Sequence, residues 1–371
     1  MKFTCEKSSL YAAILTAARA VPSKSPLPLL EGLLLEAYDG IVRVVGYDLK
    51  TGILTEIQAD VEENGAIVLN ARLFGEIIRK MPGSEITFAN RTGEVATISS
   101  EMSEFEIIGF APSDYPDLPD VQEESSFDVA EGTLRKMISQ TIFAVSDNET
   151  RPIHTGALFE TSGDTLTIVA VDGFRLALRR EKVKTGMPVS FVVPGAALTE
   201  VERILSDDSE KMMTIKLGDK HIVFVIGDSM VITRRLEGEF LNYKQAIPQK
   251  GEYSIVADKN ELVSAVERVA LIISDKIRTP IRCKFGDNEI ALSSFSALGK
   301  AQDVCYADGS GGGLEIGFNN KYLTEALKAA PSEAVELCLS NNMSPCIITP
   351  YEAEDNYLYM ILPVRLKASE N

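Results

Sequence analysis

Leu10, Ile14, Ala18 and Val21 mark one face of a helix, and the chain carries that face three times. It returns 124 residues later as Leu134, Ile138, Ile142 and Val145, and 128 after that as Leu262, Val266, Ala270 and Ile273. Apolar residues at these offsets bury one stripe of a helix. A second helix repeats behind the first. Phe74, Glu76, Ile77 and Arg79 become Leu198, Glu200, Val201 and Arg203, then Leu323, Glu325, Ala326 and Lys328. Asn70, Pro194 and Asn319 stand near the three starts. Repetition on this scale limits the chain to folds built from three like modules.

Strands fill the intervals. Gly32 to Glu36 matches Gly156 to Glu160, and Ile281 to Phe285 takes the corresponding place in the third repeat. Val45-Gly46-Tyr47-Asp48 answers Ala170-Val171-Asp172-Gly173. Turn residues punctuate these runs at Tyr38-Asp39-Gly40, Ser162-Gly163-Asp164 and Gly286-Asp287-Asn288. Phe110, Tyr115 and Pro119 close the first repeat as Phe240, Tyr243 and Pro248 close the second. Each repeat reads strand, helix, several strands, helix, several strands. That is an α+β pattern and not alternating βαβ. The expected modules are 1–121, 122–249 and 250–371.

The chemistry of an enzyme is sparse. There are two histidines, His154 and His221, and no Cys-x-x-Cys, His-Glu-x-x-His, Gly-x-Ser-x-Gly or Walker A sequence. No metal and no cofactor is expected. Gly309-Ser310-Gly311-Gly312-Gly313 lacks the Lys-Ser/Thr sequel of a phosphate loop and is expected to form a flexible hairpin loop. A hydrolase using His154 with Asp172 is the rival reading. Five cysteines, an odd count, suit a reduced, cytoplasmic setting. No apolar run approaches the roughly 18 residues of a membrane span. Leu10 to Ala18 loosely imitates a secretory signal, but the same pattern recurs twice inside the chain, so it reads as a helix.

Charge is unevenly spread. The chain carries a net charge of −17. Yet residues 8–21, 70–82, 132–145, 194–205, 259–273 and 319–330, the six repeated helices, hold eleven Lys and Arg against six Asp and Glu. A positive helical layer on a negative body suits a polyanion that meets that layer alone.

Three features together carry a family resemblance: the three-fold layout, the segment Val171-Asp172-Gly173-Phe174-Arg175-Leu176-Ala177, and the ending Tyr359-Met360-Ile361-Leu362-Pro363-Val364-Arg365-Leu366. From Met1 to about Leu366 the chain resembles the bacterial DNA polymerase III beta subunit, the replicative sliding clamp. The resemblance implies three clamp domains per chain and a head-to-tail dimeric ring, with helices lining a central hole and sheets outside. It implies a non-catalytic processivity factor that encircles duplex DNA without reading its sequence.

By the same resemblance, Lys24, Arg72, Arg79, Asn148, Pro152, Ile153 and Arg203 would face DNA. Phe105 and Ile107 of one subunit would meet Ile272 and Ile273, at the end of a helix, of the other in a homodimer. A cleft for client peptides would be formed by His154, Val171, Gly173, Phe174, Arg175, Leu176, Leu241, Gln245, Ala246, Tyr322, Met343, Pro345, Met360, Leu362, Pro363, Val364 and Arg365. Arg175 and Arg365 would supply its polar anchors. The partners implied are the polymerase III catalytic subunit, the clamp loader, and other polymerases and repair proteins carrying a Gln-Leu-x-Leu-Phe-like motif. The tail after Leu366 could cover that cleft.

Overall fold

The computed structural model describes residues 1–92, 94–248, 251–273, 279–352 and 356–366. The first repeat runs β1 (Lys2–Glu6), α1 (Lys7–Ala17), β2 (Gly32–Tyr38), β3 (Ile41–Tyr47), β4 (Thr51–Gln58), β5 (Asp60–Glu63), β6 (Gly65–Asn70), α2 (Ala71–Lys80), β7 (Glu85–Thr92), β8 (Val95–Ser100) and β9 (Ser103–Ile108). The second runs β10 (Ser125–Ala130), α3 (Glu131–Ser139), β11 (Gly156–Ser162), β12 (Thr165–Val171), β13 (Arg175–Lys182), β14 (Ser190–Pro194), α4 (Gly195–Ile204), β15 (Met212–Leu217), β16 (His221–Ile226) and β17 (Ser229–Arg234). A short α5 (Tyr243–Ala246) precedes the third: β18 (Tyr253–Asp258), α6 (Lys259–Ala270), β19 (Ile281–Ser296), β20 (Gly299–Phe318), α7 (Asn320–Ala329), β21 (Ala334–Leu339), β22 (Cys346–Pro350) and β23 (Tyr357–Ile361). The expected order of strand, helix, strands, helix, strands holds in all three.

The helices start where local chemistry lets them. Asn70 accepts from the Leu73 N–H, Asp258 from Glu261 N–H, and Asn319 from the N–H groups of Lys321 and Tyr322. Each satisfies donors that a first helical turn leaves open. Arg79 and Lys80 end α2, where cations suit the helix dipole.

The chain divides into two units, Met1–Arg135 with Ala196–Arg235, and Lys136–Gly195 with Leu236–Asn371. Strands of the second repeat are therefore shared between them. Unit 1 holds a five-stranded sheet, β5-β1-β7-β8-β9, and an eight-stranded sheet, β10-β15-β16-β17-β4-β3-β2-β6. Its first-repeat core joins both sheets to α1 and α2. Phe3 stacks on Phe88 at 5.0 Å, Phe74 meets Phe88 edge-on at 6.3 Å, and Leu10 and Ile14 are buried in the same cluster. Unit 2 holds a ten-stranded sheet, β14-β11-β12-β13-β23-β22-β21-β18-β20-β19. The expected boundary near residue 249 lies outside the described residues.

Repeats join by antiparallel strand pairing. In unit 1, β4 pairs with β17, Gly52 opposite Ile232. In unit 2, β13 pairs with β23, Leu176 opposite Met360.

The glycine run corrects an expectation. Residues 309–313 form no hairpin loop but pass through β20, where its ladder with β19 shifts register. Gly309, Gly312 and Gly313 have φ of +107°, +64° and +71°. A side chain at Gly311 would lie 2.1 Å from Phe285 Cβ. Glycine is needed here for a jog within a strand and for close approach to its partner.

Candidate functional site

The β13 strand begins on a tight turn. Asp172 Oδ1 accepts from the N–H groups of Phe174 (2.8 Å) and Arg175 (3.0 Å), and Gly173 between them has φ +91°. The turn occurs in all three repeats. Asp48 Oδ1 accepts from Lys50 (2.8 Å) and Thr51 (2.6 Å), and Ser296 Oγ accepts from Leu298 (3.1 Å). Sequence reasoning set the segments of Asp48 and Asp172 against each other one residue out of register, and missed Ser296, because a hydroxyl there replaces the carboxylate.

Beyond the turn, side chains alternate between the two faces of the sheet. Val171, Leu176 and Met360 share a buried apolar cluster with Leu178, Tyr243 and Ile347, against which Phe240, Ile247 and Cys338 pack. This face carries α5. Asn242 caps it, and the Tyr243 hydroxyl donates to Glu160 Oε2 at 2.5 Å while Lys244 pairs with the same oxygen at 2.9 Å. Burial and the Glu160 carboxylate push the Tyr243 phenol well above its ordinary range. So anchored, Tyr243 sets α5 and brings Leu241, Gln245 and Ala246 to that face; Leu241 and Gln245 are exposed. His154 lies edge-on to Phe240 at 5.5 Å, and burial, then the Arg151 charge, lowers its pKa. Pro345 precedes β22, Met343 is exposed, and Leu362 donates its N–H to the Phe174 carbonyl at 2.9 Å. Pro363 follows, half-buried. Val364 bonds to Gly317 at 2.8 Å, and Arg365 is exposed.

The other face holds different members of the expected set. Arg175 is 5% exposed. Its Nε donates to Asp172 Oδ2 at 2.9 Å, its Nη1 pairs with Glu325, and its guanidinium lies 4.4 Å from the Tyr322 ring centroid and 5.3 Å from that of Phe143. Phe174, 60% exposed, stacks on Tyr322 at 6.1 Å. With Asn148, Ile273 and Thr279 they line a cavity of about 470 Å³. The expected cleft is thus split across β13, and Arg175 is a buried internal anchor, not a polar group free for a ligand. Asp172 is fully engaged by Arg175 and the turn, while His154 packs on Phe240, so the His154–Asp172 pair of the hydrolase reading is not formed.

Among the residues expected to face DNA, Lys24, Arg72, Arg79, Asn148, Pro152 and Arg203 are exposed. Arg79 pairs with Glu76 at 2.6 Å and Arg203 with Glu200 at 2.7 Å, each one turn back. Such exposed pairs are worth little and exchange readily for another anion. Arg72 has no ion-pair partner among the described residues. Ile153 is a correction: it is 9% exposed and belongs to the apolar cluster, because the turn Pro152–Thr155 rolls it inward beneath Gly238. Part of the helical charge surplus is matched from outside the helices, since Arg135 and Arg268 pair with Asp207 and Asp303, while Arg19 and Lys328 pair with Glu200 and Glu267 of other repeated helices.

Of the expected dimer residues, Phe105 and Ile107 lie on a free edge strand. β9 ends the five-stranded sheet, with Phe105 43% and Ile108 79% exposed, while Ile107 is half-buried against the core. In β20, Gly299 to Tyr306 pairs with β19 alone among the described residues. α6 stops at Ala270, one turn earlier than expected. Leu271 then protrudes, 82% exposed, whereas Ile272 is half-buried and Ile273 turns into the cavity of unit 2. The family resemblance pointed to Ile272 and Ile273 as the end of a helix; the helix stops at Ala270, and both residues follow it.

Models of the DNA polymerase III beta subunit match in order: its N-terminal domain over residues 1–119, its central domain over 128–242 and its C-terminal domain over 244–365. The chain is 31% identical to the beta sliding clamp of Staphylococcus aureus, covering 98% of this chain and 99% of that one. It is 30% identical to the beta sliding clamp of Synechococcus elongatus, covering 99% and 100%. The DNA polymerase sliding clamp from Bacillus subtilis superposes with a TM-score of 0.94 at 30% identity over 99% of this chain and 100% of that one. A putative DNA polymerase III beta subunit from Eubacterium rectale gives 0.93 at 31% over 98% and 99%. Three domain models in sequence, spanning nearly every residue, leave one conclusion: the chain belongs to the DNA polymerase III beta subunit family.

Proposed function

We propose that two copies of this chain close head-to-tail around duplex DNA and hold client proteins on the α5-bearing face of the β13–β23 junction. As a family member the protein is a processivity factor of a replicative polymerase, without catalytic activity of its own. We assign its modules to 1–121, 122–249 and 250–371.

One observation carries the ring. The chain makes the same strand junction twice, β4 with β17 and β13 with β23, and among the described residues is left with one free strand of each kind. Gly52, Leu176 and Lys300 are spaced by 124, which makes the start of β20 the third equivalent of β4 and β13. β9 is the third equivalent of β17 and β23: Phe105, Val231 and Tyr359 each lie opposite a fully buried residue, Ile98, Phe224 and Ile348. β20 of one copy pairing with β9 of the other gives six like junctions, and leaves neither of these two strands without its partner. The register carries over. Val231 faces Ile53 and Tyr359 faces Ala177, so Phe105 faces Ala301 of the second copy. Glu106 then faces Lys300, a favourable cross-strand pair. A closed cyclic assembly is what a heterologous contact with the right rotation produces.

A ring needs no tight grip on its cargo. Topology retains the DNA, and each added phosphate contact would only add friction. Exposed Arg72, pair-exchanging Arg79 and Arg203, Lys24, and Asn148 with Pro152 are our assignment for the DNA side. Val171, Leu176 and Met360, with Leu241, Gln245, Ala246 and Leu362 at the rim, are our assignment for clients with a Gln-Leu-x-Leu-Phe-like motif. Apolar anchors on such a face give roughly micromolar affinity, about −8 kcal/mol, which lets clients exchange. Sedimentation equilibrium tests the assembly. The wild type should weigh two chains and Phe105→Asp one; a wild type that stays monomeric at micromolar concentration contradicts it.

A further inference from the structure

The apolar cluster beneath the β13–β23 junction has a twin. In unit 1, Val45, Tyr47, Leu54 and Val68 form one buried cluster, against which half-buried Leu34 packs. Each has its counterpart 124 residues later in the cluster of unit 2. A linker tyrosine completes both, Tyr115 in the first and Tyr243 in the second. The strand pairs keep one register, Gly52 opposite Ile232 and Leu176 opposite Met360.

The twins differ in where the apolar bulk comes from. Gly52 stands at the place of Leu176, and a Cβ on Gly52 would lie 2.4 Å from Leu118 Cδ2. Leu118 packs against the unit 1 cluster. It follows Tyr115 by three residues, and three residues after Tyr243 stands Ala246. In unit 1 the linker fills the space that the strand fills in unit 2. The tyrosines are set accordingly. Tyr115 donates to the backbone carbonyls of Gly32 (3.4 Å) and Val45 (3.5 Å), whereas Tyr243 reaches outward to Glu160.

We infer that the β4–β17 junction is a second copy of the docking cleft, occupied by the chain's own segment 115–119 with Leu118 seated over Gly52 as a tethered anchor. Its external ligand would be the same class proposed for the β13–β23 cleft, an extended peptide with an aliphatic anchor, and the inference rests on that reading. A tethered segment acts at an effective concentration of roughly millimolar. Free clients with micromolar affinity and limited abundance do not displace it. The chain therefore offers one client site and not two.

Calorimetric titration of the full-length protein with the pentapeptide Gln-Leu-Ser-Leu-Phe tests this. The wild type should bind one equivalent per chain, and Met360→Lys, whose long side chain can carry its charge to the surface, should lose it. Leu118→Ala should bind a second equivalent, and the double variant Leu118→Ala/Met360→Lys should keep that one. Adding Gly52→Leu to Leu118→Ala recreates the Leu176/Ala246 arrangement in unit 1 and should change how the second equivalent binds, while restoring wild-type thermal stability. A folded Leu118→Ala variant that still binds one equivalent overturns the inference. If Leu118→Ala does not fold, Leu118→Val opens the same space in part, and one equivalent at hundred-fold peptide excess overturns it equally. Undiminished binding by Met360→Lys would instead refute the β13–β23 reading, while the change of stoichiometry at Leu118 stays readable.

Discussion

Arg175 on β13 forms an ion pair with Glu325 on α7, and so ties the second repeat to the third from within. Its other partners are Asp172 and the rings of Tyr322 and Phe143. A guanidinium can serve two carboxylates and two ring faces at once, and an ammonium cannot. Arg175→Ala strands a nearly buried Asp172 and should cost about 2–4 kcal/mol in urea unfolding. Arg175→Lys should recover only part of it. Peptide affinity should fall much less than in Met360→Lys, because Arg175 lies on the opposite face.

Glu131 makes unit 1 sensitive to acid. Burial alone would raise its carboxyl. Hydrogen bonds from the Ser206 N–H (2.9 Å) and hydroxyl (2.7 Å), with the Lys211 ammonium at 3.0 Å, more than offset this and hold it below its ordinary value of 4.5. A carboxyl lowered in the folded state stabilises above its unfolded pKa and loses that contribution as pH falls through the folded value. Glu131→Gln should therefore be less stable at pH 7 by about 1–3 kcal/mol. The gap from wild type should close as unfolding is followed down from pH 4.5.

Leu49 sits where the second repeat has Gly173, and its φ is +72°. Left-handed backbone costs a branched side chain about 1–2 kcal/mol, and glycine returns roughly half of that as chain entropy. Leu49→Gly should raise stability by about 0.5 kcal/mol in thermal unfolding, and Gly173→Leu should lower it.

The register proposed for the ring can be tested by exchange of charge. Glu106→Lys or Lys300→Glu alone places like charges opposite each other and should weaken each interface by about 1 kcal/mol. The double exchange should restore dimerisation in sedimentation velocity. Weakening by either single change with no recovery in the double would reject this register.

Much of this was legible before the structure. Helical faces at fixed spacing gave the repeat, and Asn70 and Asn319, noted near the helix starts, cap those helices. What stayed hidden depends on three dimensions. Arg175 and Leu176 are neighbours in sequence, so only strand parity could send one to Glu325 and the other to Met360. Ile153 looked like an exposed loop residue because the turn that buries it is set by packing beneath Gly238. Ser296 carries the turn of Asp48 and Asp172 with a different functional group. The Leu118–Gly52 contact joins residues far apart in sequence, and only the paired clusters make it visible.

Encirclement is the central claim, and DNA topology tests it most directly. Labelled protein is loaded onto nicked circular DNA, isolated by gel filtration, and the DNA is then cut once with a restriction enzyme. The protein should co-elute with the circle at 0.5 M salt and leave within minutes of linearisation, because nothing but closure holds it. Retention on the linear product, or loss from the intact circle at that salt, would contradict the account.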